Sequence, residues 1–260
     1  MTNIVVLIKQ VPDYENRQLS EDFTLDRAGS DPVLDEINEK AIEVALQLKE
    51  AGKAETVTVL TAGPTTAESA IRRALSMGAD DAYHLVDDGL HGSDAIQTGW
   101  ALASAIGQLE KMDLLIAGNE SSDGVGGVFP AMLSHFLGLP QLTHMHKLDI
   151  DGDKVSGERE TDDGVFTVEA ALPAVISVNE KINEPRFPSF KGIMAAKKKE
   201  VTTLTLAEIG VEADEVGVAN AGSKVLSSTP KPPKTAGEKV TDEGDGGTKI
   251  AQYLVAQKII

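Results

Sequence analysis

Ile4-Val5-Val6-Leu7-Ile8 is the stretch whose reading decides the fold. Branched apolar residues follow one another with no polar alternation. Such a run suits a parallel strand covered on both faces, since a strand with one wet face would alternate. Polar residues 12–31 come next, and Tyr14 stands just past the strand's end. In open α/β sheets that is the side on which ligands sit.

The unit then repeats. Residues 34–49 read as a helix with Leu34, Ile37, Ala41, Ala45 and Leu48 on one face and Gly52 to end it. Residues 56–61 are a second strand, and Ala62-Gly63-Pro64 turns the chain. Thr65-Thr66-Ala67-Glu68 reads as a capping box for a helix that stops at Gly78. Residues 81–86 form a third strand. Ser93 caps a helix over 94–110 with Trp100 against the sheet, and 113–117 is a fourth strand. Strands alternating with helices predict an α/β fold with a doubly wound, mostly parallel sheet.

After the fourth strand comes AGNESSDGVGGVFP, residues 117–130, leading into a helix over 128–137. Free amides at a helix start, and glycines that let backbone approach a ligand, make an anion site. The alternative is a plain surface loop. The pattern is neither a P-loop nor GxGxxG. Residues 143–150, 154–161 and 165–171 read as an added β-hairpin region joined by Asp151-Gly152-Asp153 and Asp162-Asp163-Gly164, with a further short strand at 175–178.

Residues 178–199, VNEKINEPRFPSFKGIMAAKKK, combine proline-held extended backbone, exposed-type apolar residues Phe190, Ile193 and Met194, and the cluster Lys197-Lys198-Lys199. A rigid loop, an apolar anchor and a charge opposite to the bulk make a docking surface. Beyond residue 200 the chain loosens. Residues 204–209 form one helical turn, Thr229-Pro230-Lys231-Pro232-Pro233-Lys234 is extended, and 250–260 is an apolar helix. The domains expected are 1–200, nucleotide-binding and including a recognition loop at 183–199, and 201–260, an extended C-terminal arm and helix that packs on a partner.

With 41 acidic against 24 basic residues the net charge is −17, which argues against nucleic acid or anionic membranes as partners. The absence of cysteine excludes disulfides, a thiol nucleophile and thiolate metal sites. The N-terminal apolar run is too short for a signal peptide or a membrane span, so no membrane insertion is expected and the cytoplasm is the expected location. His144 and His146 share a strand face but lack a third ligand, so no metal site is expected. The acidic pairs Asp87-Asp88 and Asp162-Asp163 read as turn residues, and no GxSxG elbow occurs. The residues offer no catalytic constellation, so the chain reads as a binder, not an enzyme.

The segments IVVLIKQVPD, AIRRALSMGADDAYHL, AGNESSDGVGGVFP, PPKTAGEKV and, above all, residues 178–199 carry a resemblance over nearly the whole length. The chain resembles the β subunit of electron-transfer flavoprotein, with actinobacterial-like details. The resemblance implies an adenine-nucleotide α-hydrolase-like or flavodoxin-like topology and an obligate heterodimer. The α subunit then holds most of a redox-active FAD, and this chain holds a structural AMP. It places AMP on Leu7, Ile8, Lys9, Thr61, Ala62, Gly63, Gly118, Asn119, Asp123, Gly124, Gly126, Gly127, Val128 and Phe129. Tyr14 and Ile37 fall near the FAD. Docking of acyl-CoA and other flavin dehydrogenases falls on Pro188, Ser189, Phe190, Ile193, Met194, Lys197, Lys198 and Lys199, with Phe190 where leucine is common. Glu160 matches a glutamate that pairs with an arginine of the α subunit. Electrons would leave through a membrane quinone oxidoreductase. Two alternatives remain: a bifurcating flavoprotein with a second FAD in place of AMP, and a stand-alone ATP-using enzyme. The second lacks an SGGxDS-type loop after the first strand, where Lys9-Gln10-Val11-Pro12-Asp13 stands.

Overall fold

The first strand sends its side chains alternately into two cores. In the computed structural model, which describes every residue except 22, 230 and 238, β1 spans Thr2–Leu7. Ile4, Val6 and Ile8 enter one core, and Val5 and Leu7 the other. This is why the run shows no alternation: each parity faces a helical layer. Pro230 and Glu238, within the tail stretches singled out from the sequence, and Asp22 of the polar loop lie outside the described residues.

The chain continues through β2 (Gln10–Pro12), β3 (Pro32–Leu34), α1 (Glu36–Glu50), β4 (Ala54–Ala62), α2 (Glu68–Met77), β5 (Asp81–Leu85), α3 (Ala95–Ile106), β6 (Leu114–Gly118) and α4 (Phe129–Leu137). Then follow β7 (Gln141–Asp151), β8 (Lys154–Thr161), β9 (Gly164–Ala171), β10 (Ala174–Val178), α5 (Phe190–Ala196), β11 (Thr202–Leu204), α6 (Leu206–Ile209) and α7 (Gly246–Ala256). The main sheet has the order β11-β5-β4-β1-β6-β10-β7-β8-β9. It is parallel from β11 through β7, and β8 and β9 add an antiparallel hairpin. β2 and β3 form a separate antiparallel ribbon at the base of an excursion over residues 13–31.

The α/β, doubly wound, mostly parallel sheet is as the sequence predicts. From β1 the chain winds outward through β4 to β5, then crosses back to β6 on β1's other side. The C-terminal ends of β1 and β6 therefore part and open a crevice, the topological switch point. Helices α1 and α2 cover one face and α3 and α4 the other.

Several local expectations are corrected. The capping box at residues 65–68 does not form. Residues Thr65–Ala67 are a 3₁₀ turn, α2 has no side-chain cap, and the Thr66 hydroxyl donates to Gln10 Oε1 (3.0 Å). The cap of α3 is Asp94, in a reciprocal box with Gln97, and not Ser93. Trp100 is 39% exposed and packs edge-on against Phe136 of α4, since Gly99 lets α4 approach through Met132 and Phe136.

By contacts the chain divides into Met1–Leu226 and Ser227–Ile260. Residues 201–226, expected to lie in the arm, belong to the first unit. β11 pairs with β5, the box Thr205–Glu208 starts α6, and Leu204, Leu206, Ile209, Val211 and Val216 are buried. Sparse apolar residues suffice here because each lands on the same side of an existing sheet. In the second unit α7 buries none of its residues, and Ile250, Tyr253 and Val255 are exposed.

Candidate functional site

Three segments far apart in sequence meet at the crevice: the end of β1 with Leu7, Ile8 and Lys9; the end of β4 with Thr61, Ala62 and Gly63; and Gly118 with the loop that runs to α4. Glycine is required at 118. A Cβ there would stand 2.6 Å from Ile37 Cγ2 and 3.0 Å from Asn38 Nδ2. The first turn of α1 therefore lies directly on the end of β6. Asn38 is buried, and its Oδ1 accepts from the Lys9 amide (2.7 Å). Sequence reasoning did not single out Asn38, because only the close approach at Gly118 brings it to the crevice.

The loop itself has anion-binding chemistry. Val125 and Gly127 take left-handed backbone (φ 47° and 63°), and α4 starts without a side-chain cap. Among the described residues, the amides of Gly126, Gly127, Val128 and Phe129 donate to no partner. Together with the α4 N-terminus they are ready to receive a phosphate-sized anion. On the β4 side, Thr61 is buried and its hydroxyl has no partner among the described residues. Beside it, His84 Nε2 lies 3.1 Å from the Gly63 carbonyl, which only accepts, so Nε2 carries the proton. Burial lowers the His84 pKa and keeps the ring neutral.

Charge at the crevice is concentrated on four side chains. Lys9 Nζ donates to Ser121 Oγ (3.1 Å) and Asp123 Oδ1 (2.7 Å). Arg27, from the 13–31 excursion, donates to Asp123 Oδ2 (2.8 Å) and to the Gln10 carbonyl (3.2 Å). Burial alone would raise the Asp123 carboxyl, but the hydrogen bonds and charge of Lys9, Ser121 and Arg27 hold it well below the usual carboxylate range. Asp35, buried ahead of α1, accepts from the Ser122 amide (2.8 Å), and its pKa is raised by burial.

The second candidate surface is residues 183–199, and its fixation is explicit. Arg186 binds the buried Glu43 through Nε (2.7 Å) and Nη2 (3.1 Å), and Glu50 through Nη1 (2.5 Å). Asn183 and Lys40 exchange two further bonds (2.6 and 3.0 Å). Ser189 caps α5 by accepting from Gly192 N (3.0 Å). Arg72 of α2 donates to the carbonyls of Ala196 (2.9 Å) and Lys199 (2.6 Å). A Cβ on Gly192 would collide with the Ser76 carbonyl, so glycine lets α5 rest on the end of α2. Held at both ends, the segment leaves Phe190 81% and Phe187 88% exposed, with Ile193, Met194, Lys197 and Lys198 also exposed. Lys199 differs from its expected place in the positive cluster. Its Nζ turns inward to the Ala79 carbonyl.

The electron transfer flavoprotein domain family matches residues 22–209. The chain is 73% identical to the electron transfer flavoprotein subunit beta of Mycobacterium tuberculosis and 72% identical to that of Mycobacterium leprae, in each case across the whole of both chains. It is 35% identical to the subunit of the same name from Megasphaera elsdenii, over 99% of both chains. The chain belongs to the electron transfer flavoprotein family.

Within that family assignment, the expected positions fall in three places. The fourteen crevice residues named from the sequence all lie on the three segments described above. Tyr14 stands exposed just past β2 with the Arg17 guanidinium 4.9 Å from its ring centre. Ile37 is half-buried against Gly118. Glu160, on β8, already has a partner in this chain: Lys181 Nζ lies 2.5 Å away. Phe187 was missed as a surface aromatic because sequence reading used it only as a spacer between prolines. No helix among the described residues is long and apolar enough to cross a membrane.

Proposed function

We propose that this chain is the β subunit of a heterodimeric electron-transfer flavoprotein. It holds AMP as a structural ligand, docks acyl-CoA and other flavin dehydrogenases, and supports an α subunit from which electrons pass to a membrane quinone oxidoreductase. The proposed location is the cytoplasm. The observation that carries the AMP reading is the set of unengaged amides at Gly126, Gly127, Val128 and Phe129, on the loop that Lys9 reaches. A phosphate monoester takes up such donors directly. Thr61 and Asn38 then serve the nucleoside part, with Gly118 letting α1 bring Asn38 to the crevice.

FAD, held mainly by the α subunit, supplies the redox chemistry. This chain contributes Tyr14 and Ile37 at its border, and Glu160 exchanges Lys181 for an arginine of the α subunit. An exposed pair is a suitable exchange partner because solvent screens it and it contributes little by itself. At the recognition loop, Phe190 is the anchor, with Phe187, Ile193 and Met194 around it and Lys197 and Lys198 at the rim. A complementary dehydrogenase surface is an apolar pocket with an acidic edge. A single anchor suits a short-lived complex, since affinity differences between related complexes lie mostly in the dissociation rate.

Co-purification with the α-type subunit, followed by nucleotide extraction, tests the reading. One flavin and one AMP per heterodimer are expected. Two flavins and no AMP would replace the carrier by the bifurcating type. ATP turnover by the isolated chain would restore the enzyme alternative.

A further inference from the structure

Arg27 lies outside every set of residues expected from the sequence, yet it bridges two parts of the crevice. Its excursion, residues 13–31, leaves the sheet at β2 and returns at β3, with Asp13 N to Asp31 O (2.8 Å) closing the base. Beyond that base, Arg27 reaches from the excursion to the glycine-rich loop and pairs with Asp123 there. Asp123 is a receiver built for the purpose. Its side chain is only 2% exposed, and each oxygen meets a different cation, Lys9 on Oδ1 and Arg27 on Oδ2. The second contact of Arg27, to the Gln10 carbonyl, fixes it at the end of the β2 ribbon. The loop whose amides stand free is therefore tied on one side to β1 through Lys9 and on the other to the excursion through Arg27.

We propose that Arg27 is a positioning residue whose bridge to Asp123 latches the 13–31 excursion against the glycine-rich loop and so sets how fast a phosphate-bearing ligand is exchanged. The ligand part rests on the AMP reading above. Opening requires Arg27 to give up its charge-assisted contact on a nearly buried carboxylate and its bond to the Gln10 carbonyl. It leaves Lys9 in place to hold Asp123, so the loop keeps its fold while the excursion swings. Closure keeps Lys9 and Arg27 together on the two oxygens of Asp123, beside the loop whose amides stand free.

The test follows AMP release and amide hydrogen exchange in the full chain, for the wild type, Arg27→Ala, Arg27→Lys and Asp123→Asn. A latch and a simple charge effect predict opposite results for Asp123→Asn. This change raises the local positive charge and, as charge alone, slows AMP release. It also breaks the latch and, as a latch, speeds release. Arg27→Ala and Asp123→Asn are each expected to speed release about tenfold or more, the usual scale of a lost charge-assisted hydrogen bond. Arg27→Lys is expected to restore part of the retention. In protein without nucleotide, both disruptive changes are expected to speed amide exchange over residues 13–31 while α1 and β6 keep their protection. Slower release from Asp123→Asn, or unchanged exchange over 13–31 in both variants, would overturn the proposal. A wild type that retains no AMP would instead remove the nucleotide reading. The two failures are told apart because the exchange measurement needs no nucleotide.

Discussion

Phe190→Ala removes a ring that the fold does not use. With 81% of Phe190 exposed, almost its entire surface is available to a partner. A phenylalanine buries about 200 Å² when fully covered, so roughly 160 Å² remains to be covered here. At about 25 cal/mol/Å² that is an upper bound of about 4 kcal/mol. Alanine keeps part of this area, and ordering of the interface offsets more, which leaves about 2 kcal/mol, or about 30-fold in affinity. The local frame does not depend on the ring, because Ser189 caps α5, Gly192 lets its first turn rest on α2, and Arg72 and Lys199 fix its other end. Stability is therefore expected to change by no more than about 0.5 kcal/mol. The assay is steady-state electron transfer from an acyl-CoA dehydrogenase to the heterodimer. KM for the flavoprotein should rise about 30-fold with kcat, melting temperature, flavin and AMP content near wild type. An unchanged KM refutes the reasoning, and so does a raised KM that comes with lost flavin, since the loop would then be structural.

Other perturbations probe the frame. Arg186→Ala strands the buried Glu43 carboxylate, to which Gln47 still donates, so a loss of about 3 kcal/mol is expected. For a unit of this size that is a melting point lower by about 6–12 °C in calorimetry; a shift within error would mean Glu43 is hydrated. Lys199→Ala should cost stability through the Ala79 carbonyl, whereas Lys197→Ala should leave stability alone and reduce the salt dependence of docking; equal behaviour of the two would contradict their different placement. Asp35→Asn tests the sign of a buried carboxyl. Its folded pKa is raised by burial, so wild-type stability falls as pH climbs from the ordinary carboxylate value to the folded one. The asparagine variant lacks this loss, and its denaturation midpoint should exceed wild type at pH 7 by a margin that shrinks on acidification. A margin independent of pH would show that Asp35 is not desolvated as drawn.

Much of the frame was legible in local sequence. The apolar runs at residues 4–8 and 114–117 suit burial between two layers, the β-branched stretch 56–61 suits a strand, and the Asp-Gly turns after 150 and 162 suit hairpins. The exposed character of residues 190–194 was legible too, because large apolar residues after a proline-held backbone have no place in a core. Caps were less legible. Thr65 and Glu68 have a good capping pattern but form no box: residues Thr65–Ala67 wind into a 3₁₀ turn, and Thr66 within it donates to Gln10, a partner 56 residues away. A competing tertiary hydrogen bond overrides a local one when both are of similar strength. Lys199 failed for the same reason: three consecutive lysines read as one charged patch, and the α2–α5 packing alone turns the third inward.

Sequence by itself determined that strands and helices alternate, that a glycine-rich loop follows the fourth strand, and that residues 183–199 form a rigid surface segment. These follow from backbone propensity and burial, which act over a few residues. The tertiary structure alone decided that β10 inserts between β6 and β7, that residues 201–226 join the main sheet, and that Asn38 and Arg27 stand at the crevice. Those placements depend on contacts between segments distant in sequence: the approach permitted at Gly118, and the pairing of two cations with one buried carboxylate. No local pattern encodes them, because the energy that selects them exists only once the sheet has brought its strand ends together.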